Sequence, residues 1–362
     1  MSIDPVVFLE ELIKIKSLSG EETAVAQTLV SQMANLGLTA RIDEVGNAIG
    51  VRECPDENGA ITHEIVLLGH MDTVPGDIPV QIVDGKLYGR GSVDAKGPLA
   101  AFVMAAAQAD LSPGTRVVLI GAVEEEAATS KGARHMVNQY RPDWCIIGEP
   151  SGWDGVTLGY KGRLLIDYEY RQPMSHTAGQ QRGAAEVGIA WYNRLSDTIK
   201  VFNFEESRLF NQLLPSIHQI QTSSDGLTNS ITIKVGIRLP PRFDVDEFQA
   251  EVEEWVGEAM VRFYGREAAF QSTRSTPLAR AFIRALQPTG RKPRFKLKTG
   301  TSDMNIVGPV WNCPIVAYGP GDSRLDHTPE EHLALEDYLR AIEVLKTVIS
   351  IQSTTSSLKT EH

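Results

Sequence analysis

Cysteine is scarce in this chain of 362 residues: there are three, Cys54, Cys145 and Cys313, far apart and with no Cys-x-x-Cys pair. That excludes a disulfide framework and a thiolate metal site, and it suits a reducing compartment. Positive charge is also in short supply, with 35 Lys and Arg against 46 Asp and Glu and a net charge of −11. A chain so acidic lacks the basic footprint that duplex nucleic acid requires. Long apolar runs are missing as well. None reaches membrane length, and Met1-Ser2-Ile3-Asp4-Pro5 has no basic stretch ahead of an apolar one, so the expectation is a cytoplasmic protein with neither a nucleic-acid nor a membrane partner. What is present is a globular composition, 42% hydrophobic and 22% charged, in a chain long enough for two domains.

Apolar periodicity organises the first part of the chain as strands alternating with helices. Val6 to Ile15 and Glu22 to Leu36 have helical spacing, with Pro5 suited to a first turn and Gly37 to a stop. Ala40–Val45 and Ala48–Val51 read as strands joined by Gly46-Asn47, and Ile82–Tyr88 as a second tight hairpin. Ile65–Leu68, Val117–Val123 and Trp144–Ile147 read as buried strands, and the alanine-rich stretch Leu99–Ala109 as a helix buried on most sides. Gly132–Gln139 reads as a further helix.

The texture changes near Gly162. Leu164–Tyr170 and Ser230–Arg238 alternate like strands open on one face, Ala184–Leu195 and Val245–Phe263 read as helices, and Ala268–Gln271 as a last strand. Pro277–Leu286 returns to helix, and Thr299–Gly319 to loops and a core strand. The predicted fold is therefore α/β: a mostly parallel sheet flanked by helices, residues 1–162 and 275–362, with an inserted smaller α+β domain over 163–274. The Ser- and Thr-rich tail from Gln352 is expected to be disordered.

Polar residues at strand ends carry the chemistry. Gly69-His70-Met71-Asp72 follows the strand ending at Leu68, at the kind of edge where α/β sheets place ligands. His70 can bind a metal through one ring nitrogen while Asp72 fixes the other. Asp94, Glu126 and Glu149 each stand just past an apolar strand or in a Gly-bounded loop, and His327 follows the strand Ile315–Ala317. One such residue is ordinarily a cap or loop residue. Buried carboxylates are costly unless paired or metal-bound, so a set converging on one edge points to metal. Two histidines and three carboxylates suit two zinc-like ions with one carboxylate shared. In Glu124-Glu125-Glu126, neighbours in extended chain point to opposite sides. One would ligate while the next would reach water, unless the run is simply a solvated helix start.

At these residues the sequence resembles a known family. Gly69-His70-Met71-Asp72-Thr73-Val74-Pro75, Gly89–Gly97, Glu124-Glu125-Glu126 and Gly148-Glu149-Pro150 are similar to the motifs of the dinuclear zinc amidohydrolases and peptidases, in order and over nearly the whole chain. The resemblance implies two zinc ions per subunit, with cobalt as the other candidate. Asp94 would bridge them, His70 and Glu149 would complete one site, and Glu126 and His327 the other. Glu125 would be the general base, with Asp72 behind His70. The family usually has Asp where this chain has Glu124. The resemblance further implies a homodimer through the smaller domain, with His176 as the lid histidine that stabilises the oxyanion. It also places Asn229, Arg238 and the loop Gly300-Thr301-Ser302-Asp303 where a substrate carboxylate binds.

Gly91–Leu99 and Gly148–Gly162 are most similar to the branch that releases lysine or ornithine from the terminal glutamate side chain of an acidic amino-group carrier protein. Arg291–Lys298 places Lys292, Arg294, Lys296 and Lys298 on one side of an extended segment leading to Gly300. This basic face either guides that carrier or guards a solvated edge strand. Competing readings are an acetylornithine deacetylase, a succinyl-diaminopimelate desuccinylase, a dipeptidase, a mononuclear enzyme, or a binding protein on a peptidase scaffold.

Overall fold

The computed structural model describes residues 3–176 and 181–351. The expectations for Met1 and Ser2, for Thr177 to Gly179 and for the tail from Gln352 lie outside the described residues. The chain divides into two compact units. One gathers the residues up to Gly159 with Gln271–Leu297 and those from Ser302 onward, and the other comprises Tyr160–Phe270 and Lys298–Thr301.

The first unit is built on a nine-stranded mixed sheet. Its path runs Thr39–Ile42, Ala48–Cys54, Thr115–Ala122, His63–His70, Trp144–Ile147, Ile315–Ala317, Gly155–Tyr160 and Phe270–Gln271, with Arg294–Lys298 also beside Gly155–Tyr160. The four central strands are parallel, from Thr115–Ala122 to Ile315–Ala317, while the flanking pairs are antiparallel. Parallel strands bring their carboxyl ends to one edge, so the residues after His70, Ala122, Ile147 and Ala317 emerge together.

Both faces of the central strands are covered, as their continuous apolar runs require. Ile65, Leu67, Val117, Leu119, Ile146 and Val316 share one core with the helices Pro5–Lys14, Thr23–Asn35, Lys96–Gln108, Pro277–Leu286 and Leu335–Ser350. The alternating Val66, Leu68, Val118 and Ile120 are buried too. Helix Pro5–Lys14 starts as its sequence dictates. Pro5 sits in the first turn, and the Asp4 carboxylate accepts the Val6 and Val7 N–H groups at 2.8 and 3.1 Å. The strand Thr39–Ile42 turns back onto Ala48–Cys54 through Gly46 at φ 107°, a conformation glycine adopts without cost.

The second unit is a four-stranded antiparallel sheet in the order Leu214–Ser224, Thr228–Leu239, Gly162–Pro173, Met260–Glu267. Its apolar face packs on helices Ala184–Asn203 and Val245–Glu254 through Leu164, Ile166, Trp191, Leu195, Ile233, Val235 and Phe248.

Two expectations are corrected here. The helix predicted over Val245–Phe263 ends at Glu254, and Met260–Glu267 is an edge strand. The break falls before Gly257 (φ 67°), beyond which Val261 and Phe263 turn inward at period two rather than 3.6. The stretch Thr299–Gly319 also holds a helix, Met304–Trp311.

Candidate metal centre

Asp94 organises the cluster at the sheet edge. Its Oδ1 lies 3.2 Å from His70 Nε2 and its Oδ2 lies 3.1 Å from His327 Nε2, so each carboxylate oxygen faces a different imidazole. Glu149 Oε1 is 4.0 Å from His70 Nε2, and Glu126 Oε1 is 2.9 Å from His327 Nε2. The donor atoms form overlapping groups within 4.8 Å: His70, Asp94 and Glu149; His70, Glu125 and Glu126; and Asp94, Glu126 and His327. The five candidate ligands thus come together, and Glu125 stands among them.

Three of the ligands and Glu125 arrive from the ends of parallel strands, while Asp94 and His327 come from longer loops. His70 is the last residue of His63–His70 and is buried. Glu125 and Glu126 follow Thr115–Ala122, and Glu149 follows Trp144–Ile147. Between that last strand and Glu149 stands Gly148, where a Cβ would sit 3.1 Å from Gly69 Cα and 2.9 Å from the Phe102 ring. Only glycine lets the two neighbouring chains approach so closely ahead of their polar residues. Glu124 (φ 57°) and His327 (φ 61°) both occupy left-handed backbone, strain of the kind that surrounding structure must hold in place at functional sites.

Asp72 does more than orient one ring. His70 Nδ1 is 3.1 Å from the Asp72 carbonyl and 3.4 Å from its Oδ1; an Nδ1–H shared there leaves Nε2 as the ligating nitrogen. The same carboxylate accepts the Glu125 N–H at 3.1 Å, the Glu126 N–H at 3.0 Å and the Ser19 hydroxyl at 2.7 Å. Ser19 carries no sequence signal. Neither does Glu22, whose Oε1 accepts the Glu124 N–H at 3.0 Å.

The electrostatics match a cation site. Burial alone would raise Asp94, yet hydrogen bonds with His327 and His70 hold its carboxyl far below the usual range. Burial opposes charge on His70 too, but Asp72, Asp94 and Glu125 raise it well above an ordinary histidine. Hydrogen bonds to Asp94 and Glu126 raise His327 to about 10. Burial, reinforced by the Glu149, Asp303 and Glu126 carboxylates and opposed by His70, pushes Glu125 well upward. Burial and Asp94 raise Glu126. These carboxylates are set against two imidazoles, whose protonated forms they favour. Imidazole nitrogens and carboxylate oxygens without thiolate are donors for zinc-like divalent ions. The residues fit such ions, which would replace those protons.

The remaining candidates lie in other segments of the chain. In the second unit Arg238 donates from Nη1 to the Thr301 hydroxyl at 2.9 Å, Gly300 precedes that threonine, and Asn229 pairs across the sheet with Gln172 and Ser224. His176 is exposed, three residues beyond Gly162–Pro173. In the first unit the Ser302 hydroxyl accepts the Met304 N–H at 3.2 Å, so it is engaged at the start of a helix. Arg294 binds Asp154 and Lys296 donates to the Ser151 carbonyl at 2.7 Å. Those two cations hold the loop after Glu149. Lys292 is exposed in a groove with Ile283, Arg291, Pro293 and Phe295.

Comparison with known proteins shows the family. The profile described as Peptidase family M20/M25/M40 matches residues 66–351. A [LysW]-lysine hydrolase of Deinococcus radiodurans is 44% identical over 350 residues, covering 94% of this chain and 95% of that one. A putative [LysW]-lysine/[LysW]-ornithine hydrolase of Thermococcus kodakarensis is 40% identical over 348 residues, covering 96% and 92%. Among solved structures, the M20 family metallo-carboxypeptidase Sso-CP2 of Sulfolobus solfataricus superposes with a TM-score of 0.78 at 18% identity, over 96% of this chain and 99% of that one, a likeness of fold.

Proposed function

Because this chain belongs to peptidase family M20/M25/M40 and is a metal-dependent hydrolase of amide bonds, we propose that it releases lysine, or ornithine, from the terminal glutamate side chain of an amino-group carrier protein. The observation that carries the chemistry is the Asp94 carboxylate set between two imidazoles at 3.2 and 3.1 Å. The substrate rests on the names of relatives matched over nearly the whole length.

In this reading His70, Asp94 and Glu149 would hold one zinc ion and Asp94, Glu126 and His327 the second, with cobalt able to substitute. Ions held there would polarise the amide carbonyl and lower the pKa of water toward about 7. Glu125 would take a proton from water as the water's oxygen attacks the amide carbon, and would give that proton to the amine as the C–N bond breaks. Burial and the neighbouring carboxylates shift the Glu125 carboxyl upward, the direction that favours its holding a proton. Asp72 holds the His70 ring and the Glu125 and Glu126 amides in register. His176 is assigned to the carbonyl oxygen as it gains charge. Asn229, Arg238, Gly300, Thr301 and Ser302 are assigned to the amino acid's carboxylate, and the Arg238–Thr301 hydrogen bond supports that role. The carrier is assigned to the basic surface of Lys292, Arg294 and Lys296, of which Lys292 is the exposed member of the groove. A homodimer is assigned to the second unit, whose edge strand Leu214–Ser224 exposes Ile217 and Ile220. The reaction is assigned to the cytoplasm.

Two measurements test this. Turnover on carrier-linked lysine, carrier-linked ornithine, acetylornithine, succinyl-diaminopimelate and dipeptides should give the highest kcat/KM on a carrier adduct; a higher value on another substrate overturns the assignment. Glu125→Ala should lower kcat by about 10²–10⁴-fold with two ions still bound, whereas Glu126→Ala should lose an ion. The reverse pattern means the two roles are exchanged.

A further inference from the structure

Glu331 is fully buried, yet it is not among the grouped donor atoms of the centre. Its Oε1 accepts the backbone N–H groups of Val93 at 2.9 Å and Asp94 at 3.1 Å, and its Oε2 accepts Arg90 Nη1 at 2.7 Å. Arg90 Nε in turn donates to the Gly76 carbonyl at 3.0 Å, four residues past Asp72. The Gly89 N–H donates back to the Glu331 carbonyl at 3.3 Å, and the next residues, His332–Ala334, pair antiparallel with Lys86–Tyr88. Glu331 itself lies four residues past His327.

Three segments of the centre therefore meet at one ion pair: that of His70 and Asp72, that of Asp94, and that of His327. A buried carboxylate is costly, and replacing such a pair by apolar groups is often neutral or stabilising, so fold stability alone does not explain it. Two consecutive N–H groups held by one oxygen fix the peptide at Asp94, and with it the direction in which the side chain leaves the backbone. We propose that the Arg90–Glu331 pair is a positioning device that sets the Asp94 carboxylate with one oxygen toward His70 and the other toward His327. This rests on the reading of Asp94 as the shared ligand.

The test compares Glu331→Gln, Arg90→Lys and Asp94→Asn with the unaltered enzyme. Zinc affinity is measured by chelator competition, the absorption spectrum of the cobalt-loaded protein is recorded, and kcat and KM are measured separately. Glu331→Gln should weaken ion binding about 10- to 100-fold, alter the cobalt spectrum, and lower kcat with KM little changed. Arg90→Lys keeps the charge but loses the fork that reaches both Glu331 and Gly76, so it should shift the same quantities in the same direction by less. Unchanged ion affinity and cobalt spectrum in both variants, even with a lower melting temperature, overturns the proposal. Should Glu331→Gln fail to fold, unchanged values in Arg90→Lys alone overturn it. Unaltered ion affinity in Asp94→Asn instead overturns the reading of the centre, which keeps the two failures apart.

Discussion

His327 stands between two carboxylates of the centre, Asp94 at 3.1 Å and Glu126 at 2.9 Å. Its pKa, ordinarily about 6.5, is raised to about 10 by hydrogen bonds to Asp94 and Glu126. A group whose pKa rises on folding stabilises the fold below its unfolded value and loses that contribution as pH climbs through the folded value. Chelated protein should therefore lose thermal stability between about pH 6.5 and about pH 10. Ion-loaded protein, in which metal replaces the proton, should be flatter across the same window. Calorimetry on both forms decides it, and a flat curve for chelated protein would contradict the assignment. Asp72 makes a second case. Asp72→Asn turns one acceptor oxygen into an NH₂ facing the Ser19 hydroxyl and the Glu126 N–H or, if flipped, the Glu125 N–H. The expected outcome is a fall in kcat of roughly 10- to 100-fold, read by steady-state kinetics. His70, Asp94, Glu126, Glu149 and His327 were legible as site candidates because each is a polar group ending an apolar run or placed in a loop after one. The grip of Asp72 on amides 53 and 54 residues away left no trace in local pattern.

At the scale of elements, helix Lys96–Gln108 was legible because its alanines and large apolar residues leave no polar face. Propensity misleads within it at Gly97. Alanine normally gains about 1 kcal/mol over glycine in a helix, but here a Cβ would lie 2.2 Å from the Ser92 carbonyl oxygen and 2.8 Å from Leu333 Cδ2. Gly97→Ala should therefore destabilise, by about 1–3 kcal/mol, and a denaturant titration would register a lower midpoint. The strand Leu214–Ser224 was missed for a physical reason. It is an exposed edge whose side chains are mostly polar, so no apolar alternation marks it, and pairing to Thr228–Leu239 alone makes it a strand. Met260–Glu267 was absorbed into a helix because its apolar residues continue the preceding amphipathic run.

At the scale of the whole molecule, a net charge of −11 coexists with a stretch, Gln271 to Thr301, that holds eight Lys and Arg residues and no Asp or Glu. Such asymmetry steers an acidic partner at a rate that salt suppresses. Reversing Lys292 to Glu should lower kcat/KM on a carrier adduct and weaken its salt dependence, while N-acetyl-lysine turnover stays unchanged; equal effects on both substrates would remove steering as the cause. Light scattering is expected to show a dimer, and Ile220→Lys on the open edge strand to shift it toward monomer.

The placement of Ile315–Ala317 between Trp144–Ile147 and Gly155–Tyr160 carries one more consequence. While the protein is being made, the place between Trp144–Ile147 and Gly155–Tyr160 stays vacant until Ile315–Ala317 has left the ribosome. A product cut short before residue 315 would own His70, Asp94 and Glu149 but not His327. Full occupancy by a cation pair thus requires that the chain be made past His327 and that this strand find its slot.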